Sequence, residues 1–146
     1  MEPDAQTSYY RSARVARMLH RNQSRLVSML DRTVKAFGIS VAEYAVMSML
    51  WAGRGDTAAQ LCREFCYSPA AMTRMLDRLE RKRLVRRLPH PASRRSHLLE
   101  LTAEGQRVFP EMRAVSADSI GQLLGDFDAT ELNRLEAMLD RMQFGT

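Results

Sequence analysis

Cysteine is scarce in this chain: Cys62 and Cys66 are the only two among 146 residues. That excludes a disulfide-rich scaffold and a four-cysteine zinc site built from one chain, so the fold must rest on packing. No apolar run approaches the ~18 residues that cross a bilayer, and Met1-Glu2-Pro3-Asp4 lacks the basic-then-apolar layout of a signal peptide. A cytoplasmic protein with no membrane partner is expected. Catalytic signatures are also missing: there is no glycine-rich phosphate loop, no Gly-x-Ser-x-Gly elbow and no His-Glu-x-x-His helix. An enzyme is therefore not expected. Three scattered histidines, His20, His90 and His97, lack metal-ligand spacing, and neither a metal nor a cofactor is implied. What remains is 45% apolar and 27% charged, ordinary globular usage and enough for one domain over residues 1–146.

The net charge of +5 is unevenly spread. Residues 69–97 hold nine Lys/Arg against two Asp/Glu, a local excess of +7, whereas residues 98–146 hold four against nine, a deficit of −5. A 29-residue stretch that basic inside a folded chain is the footprint of a phosphate-binding surface, and the alternative is a solvated basic face. Local shape has to decide between them.

Helix-start chemistry divides the chain. Ser40-Val41-Ala42-Glu43, Thr57-Ala58-Ala59-Gln60 and Asp128-Ala129-Thr130-Glu131 have capping-box spacing. Ser68-Pro69 puts a capping hydroxyl before a proline at the first helical position, and Thr102 precedes Glu104 in a first turn. Gly38 ends the first helix, Gly53 and Gly55 end the second, and Pro89 with Pro91 forbids a helix through residues 88–92.

Between these stops, Val15, Leu19, Leu26, Met29, Leu30, Val34 and Phe37 recur at helical spacing, which predicts one long first helix over residues 8–37. A nearly all-apolar helix runs from Val41 to Trp51, a short one carries Ala58, Leu61 and Phe65, and a fourth spans Pro69 to about Arg83. Two helices joined by a tight turn have helix-turn-helix geometry. Periodicity then becomes extended, with Leu84–Leu88 and His97–Leu101 as strands of a hairpin whose tip, residues 89–96, carries Arg94 and Arg95. Two more helices follow, Ala103 to about Gly125 and Ala129 to about Phe144. The expected fold is mainly α with a small β-hairpin wing: a winged helix-turn-helix over residues 40–101, flanked by N- and C-terminal dimerisation helices, 8–37 and 103–144. Dimerisation follows from burial, because the flanking helices carry apolar stripes too extensive for the small winged unit to cover. A two-fold dimer would present two reading helices to half-sites about one turn of DNA apart, ~34 Å.

Over residues 40–105 the chain resembles the multiple-antibiotic-resistance regulator (MarR) family of winged-helix transcriptional regulators. The most specific stretch is Thr73-Arg74-Met75-Leu76-Asp77-Arg78-Leu79-Glu80-Arg81-Lys82-Arg83-Leu84-Val85-Arg86-Arg87, followed by Leu101-Thr102-Ala103-Glu104-Gly105. Two departures stand out: Ser93-Arg94-Arg95 where the family has an Asp-x-Arg pattern, and Cys66 where it has a turn glycine. The resemblance implies a homodimeric repressor of a pseudo-palindromic operator in double-stranded DNA. Ser68, Ala70, Ala71, Thr73, Arg74 and Arg78 then lie on the reading helix, with Arg74 suited to a bidentate guanine contact. Arg94 and Arg95 would enter the minor groove, and Arg81, Arg86 and Arg87 would meet phosphates. For Arg78 and Arg81 the alternative is pairing with Asp77, Glu80 or a second copy.

The resemblance further implies release of DNA by a small aromatic or lipophilic acid. Tyr10, Arg14, Arg17, His20 and Arg21 on the first helix, with Met47 and Trp51 on the second, offer cations beside an aromatic wall, though Met47 and Trp51 also suit plain core. Two other readings stand: redox sensing through Cys62 and Cys66, and a nonspecific architectural DNA protein.

Overall fold

The computed structural model describes residues 3–142, with side chains from residue 6. Helix α1 (Pro3–Val34) is a rod of 32 residues, about 48 Å at 1.5 Å per residue. It tightens into a 3-10 turn at Lys35–Phe37, and Gly38 at φ 72° stops it. Helix α2 (Val41–Trp51), α3 (Ala58–Phe65) and α4 (Pro69–Arg81) follow. Strands β1 (Val85–His90) and β2 (Ser93–Leu101) pair antiparallel, and α5 (Ala103–Leu124) and α6 (Ala129–Asp140) complete the chain. All three capping boxes form, each with the side chain of the N-cap residue and that of the third helical residue bonded to the other's backbone N–H. Ser68 caps α4 at Ala71 N–H, and Thr102 caps α5 at Gly105 N–H.

Mainly helical with one hairpin, the fold is a winged helix-turn-helix with helices on either side. Three boundaries differ from expectation. Helix α1 begins earlier, at Pro3. Helix α4 ends at Arg81 because Arg83 takes a left-handed φ of 59°. The expected wing-tip loop is replaced by longer strands turning at Pro91-Ala92, so Arg94 and Arg95 sit on β2. The expected end of the last helix at about Phe144 lies outside the described residues, and α6 ends at Asp140.

The core forms where α2, α4, α5 and the hairpin converge, through Val46, Met47, Leu61, Met72, Leu76, Leu79, Phe109 and Met112. Tyr44 stacks on Phe109 at 5.7 Å, and Trp51 meets the same ring at 5.2 Å. Helix α5 is seated against the α4–β1 turn by Thr102, whose N–H donates to Leu84 O at 3.0 Å and whose hydroxyl donates to Arg83 O at 2.6 Å. The next turn comes so near that a Cβ on Gly105 would lie 2.2 Å from Leu84 O. Gly105→Ala is expected to destabilise the fold by about 1–3 kcal/mol, since this clash with backbone outweighs the ~1 kcal/mol helix-propensity gain. A thermal melt checks it, and an unchanged or higher midpoint would contradict the close approach.

Candidate nucleic-acid interface

The reading helix is placed by its own start. Cys66 closes α3 in the left-handed region at φ 53°, a conformation that favours glycine, and Ser68-Pro69 opens α4 two residues later. Met72, Met75, Leu76 and Leu79 bury one side of α4, which leaves Thr73, Arg74, Asp77 and Arg81 exposed on the other. Ala70 is exposed and Ala71 half-buried at the helix's first turn. Ser68 accepts from Ala71 N–H at 3.2 Å, and its hydroxyl proton stays available for a phosphate. Thr73 donates its hydroxyl to Pro69 O at 2.9 Å.

The arginines divide into two sets. Among the described residues, Arg74, Arg81, Arg94 and Arg95 make no ion pair and are exposed. Arg78, Arg86 and Arg87 are engaged. Arg86 pairs with Glu100, its partner across the ladder. Arg87 bonds Asp77 at 2.9 Å and also Glu80, so β1 is tied to α4 and the two acidic groups of the reading helix are neutralised. Arg78 donates through Nε to Glu43 of α2 at 2.9 Å, rather than to Asp77 or Glu80.

The wing carries its free arginines on an irregular edge. Pro89 lies opposite His97 and His90 opposite Ser93, so residues 94–96 have no partner across the ladder. Proline has no N–H to continue the pairing at that point. Arg94 and Arg95 are displaced from the regular ladder as a result, and Arg95 N–H bonds Ser93 Oγ at 3.3 Å.

Glu43 is the group the sequence pattern did not single out beyond its capping role. It is 2% exposed, and it accepts from Arg78, from Lys82 at 2.6 Å and from Ser40 N–H at 3.1 Å. Burial pushes its carboxyl up, but bonds from Lys82, Ser40 and Arg78 outweigh that and hold it below its ordinary value of 4.5. A carboxyl lowered on folding binds fewer protons folded than unfolded, so its stabilisation is complete above about pH 4.5 and is lost as pH falls through the folded value. Glu43→Gln is therefore expected to flatten the acid side of the stability profile. Urea titrations at pH 6 and pH 3 check this, and parallel losses in both proteins would contradict it.

The residues expected to hold a ligand are not gathered into one site within the protomer. His20 and Arg21 line an open groove of about 740 Å³ with Arg25, Met29, Arg32 and Leu123, between α1 and the end of α5. Arg14, Arg17 and Arg21 border a second groove with Met18. Tyr10 packs on Tyr9 at 5.8 Å. Met47 is fully buried, and Trp51 borders a separate hollow of about 330 Å³ with Asp56, Glu100 and Gln106. Cys62 packs against the core and Cys66 is exposed, both as free thiols. No helix among the described residues is long and apolar enough to cross a membrane.

A helix-turn-helix with a basic hairpin defines the winged-helix class, and comparison with known proteins narrows it. Residues 39–97 match the MarR family. The chain is 27% identical over 129 residues to the multiple antibiotic resistance protein MarR of Escherichia coli, covering 88% of this chain and 90% of that one. It is 29% identical over 147 residues to the transcriptional activatory protein BadR of Rhodopseudomonas palustris, covering 92% and 78%. A crystal structure of a MarR variant from E. coli complexed with operator DNA superposes with a TM-score of 0.75 at 26% identity, over 87% of this chain and 91% of that one. The chain is thus similar to the MarR family over its winged region, residues 39–97, and to a transcriptional activatory protein among its relatives.

Proposed function

We propose that the protein is a homodimeric, sequence-specific repressor that binds a pseudo-palindromic operator and is released by a small aromatic or lipophilic acid. The observation that carries the DNA reading is the set of exposed arginines free of ion pairs, Arg74 and Arg81 on α4 with Arg94 and Arg95 on β2, in a fold whose relative was crystallised with operator DNA. Ser68, Ala70, Ala71 and Thr73 line the approach of α4 to the major groove, and Arg94 with Arg95 reaches the minor groove. Arg86 contacts phosphate from its place beside Glu100.

Dimerisation is supported by the flanking helices, which expose Val15, Met18 and Leu19 on α1, Ile120 on α5, and Met138 and Leu139 on α6, with Met142 just beyond it. Apolar faces of this extent are covered by a partner in stable proteins, and a second copy also supplies the second reading helix. For the ligand, the groove between α1 and α5 joins the cations Arg21, Arg25 and Arg32 to His20 and the apolar Met29 and Leu123, a chemistry that suits an anion with an apolar body. Arg14, Arg17 and Tyr10 extend the basic face, and in a dimer the partner would close it.

Sedimentation equilibrium with footprinting tests the reading. A species of twice the 16.7 kDa protomer mass protecting an inverted repeat supports it, and a monomer protecting an asymmetric site overturns it. Aromatic carboxylates added to the complex should then release DNA in wild type, less so in an Arg17→Ala, Arg21→Ala double variant.

A further inference from the structure

The buried carboxylate of Glu43 is not needed for the cap it helps to form. Gln60 occupies the same position in α3 and completes an identical capping box with a neutral side chain. A charge removed from water has to be matched by partners, and the partners of Glu43 lie 35 and 39 residues along the chain, both on or just beyond α4. Arg78 Nε donates to Oε1 at 2.9 Å, and Lys82 Nζ donates to Oε2 at 2.6 Å.

The way Arg78 is held is informative. Its bond to Glu43 runs through Nε, and it stays 43% exposed at the side chain, whereas Arg87 is held through its terminal nitrogens and is more buried. A guanidinium gripped at Nε keeps its plane fixed while Nη1 and Nη2 are left as a two-pronged donor. Lys82 is treated differently, since its single ammonium points into the same carboxylate.

We propose that Glu43 is a positioning residue for DNA recognition: it presets Arg78 as an outward fork toward the operator and withdraws Lys82 from indiscriminate phosphate contact. This rests on the proposed reading of α4 as the DNA-facing helix. Presetting a long side chain removes ordering cost from the specific complex, and cancelling one of two positive charges weakens the sequence-independent complex. Both effects widen the gap between operator and random DNA.

The test uses Glu43→Gln, which keeps shape and cap, and two probes: a 30-base-pair duplex selected by the wild-type protein from a randomised pool, and a scrambled duplex of equal composition. Binding to the selected duplex is expected to fall about 3- to 10-fold, while binding to the scrambled one rises and its salt dependence steepens by about one ion. Arg78→Lys, which keeps the charge but has no fork, should lose selectivity for the selected duplex to a similar degree. Arg78→Ala should cost less in the Glu43→Gln background than alone, because the two act as a unit. Melting temperatures of each variant separate these effects from misfolding, and Arg78→Lys carries the test if Glu43→Gln does not fold. Wild-type selectivity retained in folded Glu43→Gln, or in Arg78→Lys, overturns the proposal alone. A wild-type protein that does not distinguish the two duplexes overturns the DNA reading and this proposal with it.

Discussion

Arg74→Ala is expected to weaken operator binding by about 1–3 kcal/mol, a loss of 5- to 150-fold, and to leave binding to random DNA nearly unchanged. Arg74 is exposed on α4, opposite the buried stripe of Met72, Met75, Leu76 and Leu79, and makes no ion pair among the described residues. Its five donors are therefore free for a base edge, where a lost bidentate contact is felt on one sequence and not on others. Arg86→Ala is the internal control, because the cross-strand pair with Glu100 already engages that guanidinium, and its loss should be small and independent of sequence. Competition titrations with operator and scrambled duplexes distinguish the two. Equal losses on both duplexes for Arg74→Ala would make it a phosphate contact only.

Breaking the proposed dimer should have a larger effect still. Met138 and Leu139 are 51% and 43% exposed on α6 and contribute nothing to the buried core of the protomer, so Met138→Glu with Leu139→Glu should fold normally. If these residues meet a second copy, two buried carboxylates per protomer would dissociate it. Linking two modest half-site contacts multiplies affinity by about 10²–10⁴, and operator affinity should fall within that range when the link is removed. Sedimentation and DNA titration on the same sample check both steps. A variant that stays dimeric would place the interface elsewhere, and a monomer with undiminished affinity would remove the need for two half-sites.

The parts of the fold written in local chemistry were readable in the residues. Ser40 with Glu43, Thr57 with Gln60, Asp128 with Glu131 and Ser68-Pro69 announce helix starts because a cap involves residues three apart, and Gly38 announces a stop. The hairpin was readable from its prolines and alternating residues, but its register was not. Where Pro89 interrupts the ladder, the unpaired residues 94–96 are taken up within β2 rather than in a loop, a consequence of pairing and not of composition. The division of the arginines into free and engaged sets was equally hidden. Glu43 reads as an ordinary capping glutamate until α2 and α4 pack, and only then does its carboxylate meet Arg78 and Lys82. The ligand set shares a chemical character in Tyr10, His20 and Trp51, but a rod of 32 residues spreads the first two along its length while Trp51 packs on Phe109.

Helix α4 and the wing are expected to read a DNA sequence. The most direct test is titration of wild-type protein against its selected duplex and a scrambled duplex at one salt concentration, ~0.15 M. A preference of at least about 10³ is expected, with protection centred on an inverted repeat whose halves lie one helical turn apart. Equal affinity for the two duplexes would contradict it and leave only a basic surface that binds phosphate without regard to sequence.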